Sequence, residues 1–275
     1  MPLRMPHRCT RRHVLTRGAA AVTAVAASPL LTSCQQQQGE DLTTLLAPAA
    51  RPDAGAPSAR ALTLPPSVAG VAFPDTALAE AAFQLAGAES PPELFNHVMR
   101  TYVFGALAMQ ARGVTFDEEL AFLGAVLHDL GLTERFTSAE QTFELDGADN
   151  AKAFLLEHNA PPDRAEVIWD AIAMHTTGWL AARKRPEVAI VSQGALLDVA
   201  GVGLEALDAA IVEEILEAFP RLAFKRSIVN TMIEHCKRKP QAVLLTQFAE
   251  TGRRHLPSFN PPILEDLVLA APFES

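Results

Sequence analysis

The stretch Leu120–Gly131, LAFLGAVLHDLG, constrains the fold most, because apolar residues cover nearly the whole circumference of the helix that it would form. Such a helix is predicted to be buried on most sides. The run ends in His128 and Asp129, and an imidazole and a carboxylate that leave water need partners. A cation is the strongest partner for both together. The pair is therefore a candidate metal site, provided that other ligand-type residues reach the same place.

Residues 1–33 are typical of an export signal and are excluded from the fold. Arg11 and Arg12 form a twin-arginine pattern, and the apolar stretch from Gly18 to Leu31 is shorter than the roughly 20 residues that a membrane-spanning helix needs. The next residues complete Leu31-Thr32-Ser33-Cys34, which resembles a bacterial lipobox and predicts lipidation of Cys34. We therefore expect an exported protein that is anchored by lipid to a bacterial membrane and works in the periplasm or another extracytoplasmic compartment.

Composition divides the remaining chain into two parts. Residues 34–67, rich in Gln, Ala and Pro, are predicted to be a disordered tether, and residues 68–275 are long enough for one domain with a substantial core. Removing the five arginines before Cys34 from the 23 basic residues leaves 18 against 32 acidic ones, a net charge of −14. This charge argues against nucleic acid as a partner and favours a small-molecule substrate. The oligomeric state is left open.

The domain is predicted to be all-α. Apolar residues recur at helical spacing, while period-two runs rich in β-branched residues are scarce. Ser90 and Thr115 are predicted to cap two of the helices, each with a glutamate three residues later. The predicted helices begin near Asp75, Pro92, Glu118, Asp146, Pro162, Pro186, Leu204, Phe224 and Gln241.

Three further ligand-type residues interrupt apolar stripes in this domain. His175 follows Ile168, Ala171 and Ile172 at helical spacing, so it points into the core. Asp198 occupies the equivalent place in the next helix, and His97 lies beside the apolar stripe of the first long helix. A lone inward histidine is more often structural than functional. Four helices that each present a ligand-type residue to the interior favour a shared metal site.

The order His97, His128-Asp129, Asp198 resembles the H…HD…D pattern of the HD superfamily of helical metalloenzymes. The resemblance extends to the cyanamide hydratase-like branch over about residues 74–250. The segments that carry it are Leu94–His97, Arg100 with Tyr102–Gly105, Leu127–Gly131, Phe143–Ala148, Ala171–Thr176 and Lys184–Glu187.

This resemblance implies an HD-domain helical bundle in which His97, His128, Asp129 and Asp198 hold a divalent metal. The ligand types suit zinc or iron, with manganese or cobalt as alternatives. A water made acidic by the cation would be the nucleophile. His128, Asp129 and His175 are the candidate catalytic residues. His175 has three open roles: a ligand of a second metal position, a proton donor, or a core histidine bound to a backbone carbonyl.

Three functions remain compatible with these residues. The first is a hydratase or hydrolase of a small cyanamide- or nitrile-like molecule. The second is a phosphohydrolase of nucleotides or other phosphoesters, which the negative charge and the lack of a phosphate-binding glycine loop disfavour. The third is a non-catalytic metal-binding sensor. It is disfavoured because a protein without chemistry has no need to bury four ionisable side chains.

Overall fold

A computed structural model describes residues 62–273. The signal peptide, Cys34 and most of the predicted tether lie outside these residues. Within the described part, the chain is mostly helical, and the prediction of an all-α fold is confirmed. None of the helices in this part combines the length and apolar character needed to cross a bilayer.

A two-stranded antiparallel hairpin precedes the helices. Strand β1 spans Ser67–Val68 and strand β2 spans Val71–Ala72. The helices are α1 Ala77–Glu89, α2 Pro92–Gln110, α3 Glu118–Leu127, α4 Phe143–Glu157, α5 Pro162–Ala173, α6 Gly178–Ala181, α7 Pro186–Ala200, α8 Ala209–Ala218, α9 Phe224–Arg238, α10 Gln247–His255 and α11 Leu264–Leu269. Two 3₁₀ turns, Leu130–Leu132 and Leu204–Ala206, follow α3 and α7.

Several helix ends differ from the prediction. Ser90 is the C-cap of α1, and Asp117 replaces Thr115 as the N-cap of α3, because its carboxylate accepts a hydrogen bond from the Leu120 amide at 3.0 Å. Helix α4 begins three residues before Asp146. The expected helix from Leu204 is split into a 3₁₀ turn and α8.

Helix α3 lies at the centre of the core, and every residue from Leu120 to Leu127 is buried. Helices α1, α2, α5 and α7 pack around it. A smaller apolar cluster joins α4, α9 and α10 and includes Phe143, Cys236 and Phe248. The first residue of the predicted metal pair, His128, is the C-cap of α3, so the pair lies at the C-terminal end of this buried helix.

Helices α2 and α7 cross in an antiparallel register with four-residue steps. Gly105 faces Ile190, Gly194 faces Thr101, and Asp198 contacts His97. The backbones approach so closely that a Cβ on Gly194 would overlap the carbonyl oxygen of Thr101, and one on Gly105 would overlap that of Ile190. Glycine at these two positions therefore sets the distance between the helices that carry His97 and Asp198.

Gly194→Ala should lower the free energy of unfolding by about 2–3 kcal/mol, because α2 and α7 must move apart to relieve the overlap. Chemical denaturation monitored by circular dichroism measures this change. Gly178→Ala is the matched control, since the nearest atom to its added Cβ is the Ser192 hydroxyl at 3.9 Å. Equal stability of the two variants would contradict the close approach.

Candidate metal centre

Three side chains from α2 and from the C-terminal end of α3 converge at one place. His97 comes from α2, His128 caps α3, and Asp129 follows it; all three are at least 95 % buried. Their ligand atoms lie within 4.8 Å of one another. The Asp129 Oδ2 atom is 3.5 Å from Nε2 of His97 and 3.3 Å from Nε2 of His128. Two imidazole nitrogens and a carboxylate oxygen thus face a common point, as metal ligands do.

The second nitrogen of His128 shows that this point suits a cation. The Nδ1 atom is 2.7 Å from the carbonyl oxygen of Ala125, which can only accept a hydrogen bond, so Nδ1 carries the proton. The Nε2 atom is buried, and Oδ2 of Asp129 at 3.3 Å does not meet it with hydrogen-bond geometry, so no residue among 62–273 bonds Nε2. A buried polar atom left unpaired costs about 1–3 kcal/mol. A divalent metal ion would remove that cost, and the residues present fit one.

The charge of Asp129 favours positive charge at the same point. Burial alone would raise the pKa of Asp129, but His128, His97 and His175 outweigh it and hold the pKa well below its usual range. Burial would lower the pKa of His128, but the Asp129 carboxylate more than compensates and raises it. A proton and a metal ion therefore compete for Nε2 of His128, since a ligand imidazole must be neutral.

His97 is fixed from both sides. Its Nδ1 atom is 2.7 Å from Oδ2 of Asp198, and its ring stacks on Phe224 with centroids 4.6 Å apart and an interplanar angle of 20°. Burial lowers the pKa of His97, and the attraction of Asp198 and Asp129 offsets this only in part. The ring is therefore neutral at neutral pH, and the bond to Asp198 leaves Nε2 as the nitrogen that faces Asp129.

The Asp198 carboxylate accepts hydrogen bonds from two arginines as well as from His97. Arg100 donates from Nε to Oδ1 and from a terminal nitrogen to Oδ2, both at 2.8 Å, and Arg221 donates to Oδ1 at 2.5 Å. Burial would raise the pKa of Asp198, but these bonds lower it. Arg100 also donates to the carbonyl oxygen of Phe219 at 2.9 Å. The carboxylate thus links α2 to α7 and to the segment that precedes α9.

The family resemblance predicted Asp198 as a fourth metal ligand, and this role stays a prediction. In the structure it lies outside the cluster of His97, His128 and Asp129. Both of its oxygens already accept hydrogen bonds, and one would have to give up a partner to bind a metal.

His175 completes a row of histidine rings. Its centroid is 4.8 Å from that of His128, and its Nε2 atom is 3.8 Å from Oδ1 of Asp129, which is too long for a hydrogen bond. The carbonyl oxygen of Ile172 accepts from Nδ1 at 2.6 Å. Burial and the neighbouring His128 lower the pKa of His175 to about 4. The imidazole is therefore neutral, with the lone pair of Nε2 on the side of Asp129.

Two acidic residues of α4 lie near this row. Glu144 is buried and accepts from the Thr176 hydroxyl at 2.9 Å, and its charge acts on His175. The helix predicted to begin near Asp146 begins at Phe143, so Asp146 is not its N-cap. Thr142 occupies the N-cap, while Asp146 accepts from Lys239 Nζ at 2.7 Å and from the Ser138 amide at 2.9 Å.

The sequence model of the HD domain matches residues 94–258, which is more than half of the chain. The chain belongs to the HD domain family. HD domains bind divalent metals, and the family generally comprises metal-dependent hydrolases. No curated protein matches the chain.

The matched HD region contains every predicted catalytic and metal-binding residue, from His97 to Asp198. It also contains three residues whose role sequence reasoning missed: Arg221, Phe224 and Lys239. The sequence analysis named Arg100 only as part of the family resemblance and predicted no role for it. Its position three residues after His97 puts both side chains on the same helix face. Arg221 lies between α8 and α9, where no periodicity indicates which way a side chain points.

Proposed function

We propose that this HD domain protein is a metal-dependent hydratase or hydrolase that acts on a small, nearly neutral molecule with a cyanamide- or nitrile-like group. The observation that carries the proposal is the unpaired, buried Nε2 atom of His128 beside His97 and Asp129. The negative charge of the chain and the commitment of Arg100 and Arg221 to Asp198 support a neutral substrate over a phosphoester.

Each residue of the centre has a task in this proposal. His97, His128 and Asp129 would hold the cation. When bound, a divalent cation supplies Lewis acidity and brings the pKa of a water into the neutral range. In hydration of a nitrile, the water oxygen forms a σ bond and then a π bond to carbon, both C–N π bonds are lost, and both water protons move to nitrogen to give an amide. His175, neutral and with Nε2 toward Asp129, accepts a proton from water and returns it to nitrogen.

Purified protein tests this proposal in two steps. Elemental analysis of protein prepared without added metal should find at least one divalent transition metal per chain. Turnover of cyanamide and of simple nitriles should then be measured beside phosphate release from nucleotides. Hydration products support the proposal, phosphate release would replace it with a phosphohydrolase, and absence of both metal and turnover would contradict it.

We propose that Asp198 orients His97 rather than binding the metal. Asp198→Asn should weaken metal binding about 10- to 100-fold, as loss of a carboxylate behind a ligand histidine does, while the full amount of metal still binds at saturation. Competition with a metal chelator measures the affinity, and X-ray absorption measures the coordination number. Loss of one oxygen ligand in the variant would show that Asp198 is itself a ligand, as the sequence predicted.

Export and lipid anchoring at Cys34 are proposed on the sequence alone. The twin-arginine pattern and the lipobox-like Leu31–Cys34 support them. The twin-arginine route carries folded proteins, which suits a centre whose ligands are buried in the core.

A further inference from the structure

A cavity of about 530 Å³ is lined by residues of α2, of α9 and of the turn after α3. Three of its lining residues adjoin residues of the metal centre in the chain. Glu93 lies one helical turn before His97, Leu132 lies three residues after Asp129, and Ala223 precedes Phe224, whose ring stacks on His97. The residues of the metal centre do not themselves line the cavity, but their neighbours on α2, on α9 and in the turn after α3 do. It is many times larger than one water molecule, whose share of liquid volume is about 30 Å³.

His235 is the buried polar residue of this cavity. Its side chain belongs to a residue that is only 3 % exposed, and the rings of Phe143 and Phe248 meet it edge to face, with centroids 6.5 and 5.9 Å away. The Nδ1 atom is buried and has no hydrogen-bond partner in the part of the chain that the structure describes. A buried imidazole nitrogen without a partner lowers stability, which favours a partner that is bound from outside.

The state of the ring defines that partner. Burial and the positive charges of Lys239 and Arg238 lower the pKa of His235 to about 4, so the imidazole is neutral at neutral pH. A neutral imidazole offers one N–H donor and one acceptor nitrogen. The unpaired Nδ1 atom is the donor or the acceptor, depending on the tautomer, and an amide, a urea or a cyanamide can bind it in either case because each of these groups both donates and accepts a hydrogen bond.

The charges around the cavity favour a neutral molecule. Carboxylates and guanidinium groups both line it, so neither an anion nor a cation meets a field of one sign. The charged lining residues are Glu93, Glu134, Glu234, Arg226 and Arg238.

We propose that His235 is a substrate-binding residue that holds a neutral amide-, urea- or cyanamide-type group in this cavity, next to the metal centre. The proposal rests on the proposed function for the identity of the bound molecule as substrate. Phe143 connects the two places, because its ring centroid is 5.4 Å from that of His175 and 6.5 Å from that of His235. The ring of Phe143 would therefore separate a polar group bound at His235 from His175.

His235→Phe is the direct test, because phenylalanine keeps the ring contacts and removes both nitrogens. Binding of acetamide and of cyanamide is measured by NMR titration of the metal-loaded and the metal-free protein. We expect the parent to bind at least one probe and His235→Phe to bind it about tenfold more weakly, with metal content unchanged and a melting temperature equal to or above that of the parent. His235→Gln, whose amide also donates and accepts, should restore part of the affinity.

His158→Phe is the matched control, since His158 is exposed and its Nδ1 atom bonds the carbonyl oxygen of Phe154 at 2.8 Å. It should bind the probes as the parent does. Equal affinity of His235→Phe and the parent, or no binding of either probe by the parent, would overturn the assignment. The metal-free titration separates this failure from failure of the proposed function, because the cavity residues do not need the metal, whereas turnover does.

Discussion

Replacing His128 with alanine should abolish tight metal binding and reduce turnover by at least about a thousandfold. The variant removes the Nε2 atom that has no other partner among the described residues, and it leaves Asp129 with one imidazole fewer. Metal content after dialysis measures the first effect, and the rate of substrate hydration measures the second. The centre then holds two ligands instead of three, which is too few to retain a catalytic ion in competition with water.

His158→Ala is a close control for this variant. Both histidines donate from Nδ1 to a backbone carbonyl of their own helix, but His158 is exposed and lies outside the metal centre. Circular dichroism of both variants guards against a loss of fold. If His128→Ala bound as much metal as the parent, the proposed centre would be wrong.

Replacing Lys239 with methionine should lower the free energy of unfolding by about 3–5 kcal/mol. Lys239 is 3 % exposed, and its ammonium group is 2.7 Å from Oδ2 of Asp146 and 3.1 Å from the Thr137 hydroxyl. Methionine fills the space but leaves the Asp146 carboxylate buried without a cation. A buried charge that loses its partner destabilises the folded state strongly. Urea denaturation measures the loss.

The double variant Lys239→Met with Asp146→Asn should recover much of that stability, because the unpaired charge is removed. Lys152→Met is the control, since Lys152 pairs with Glu166 at the surface and such pairs contribute about 0–1 kcal/mol. Additive losses in the double variant would show that Lys239 and Asp146 do not interact in solution.

Helical periodicity predicted the centre where the chain is regular. His97, His128 and Asp129 each end or interrupt an apolar stripe, and burial follows from that position alone. The same reasoning placed Asp198 inside the core. It could not tell that Oδ2 faces Nδ1 of His97, because the choice of atom depends on how α2 and α7 pack.

The remaining errors have local physical causes. Asp117 rather than Thr115 caps α3, although both are good cap residues, because its carboxylate reaches the Leu120 amide. The sequence indicated a helix start near Asp146 but not the ion pair of Asp146 with Lys239, because Lys239 is 93 residues away, beyond any local pattern. Arg221 gave no signal, because the segment between two helices has no fixed period.

The register of α2 against α7 joins stability to metal affinity. The alignment of α7 with α2 that packs Gly194 against Thr101 also places Asp198 against His97, four residues further along each helix. A substitution that slides or spreads these helices would therefore also release Nδ1 of His97 and let its ring turn. Mutations in the contact between α2 and α7, far from any ligand atom, should therefore weaken metal binding before they unfold the protein. The packing of the core thus sets the position of the metal ligands at its end.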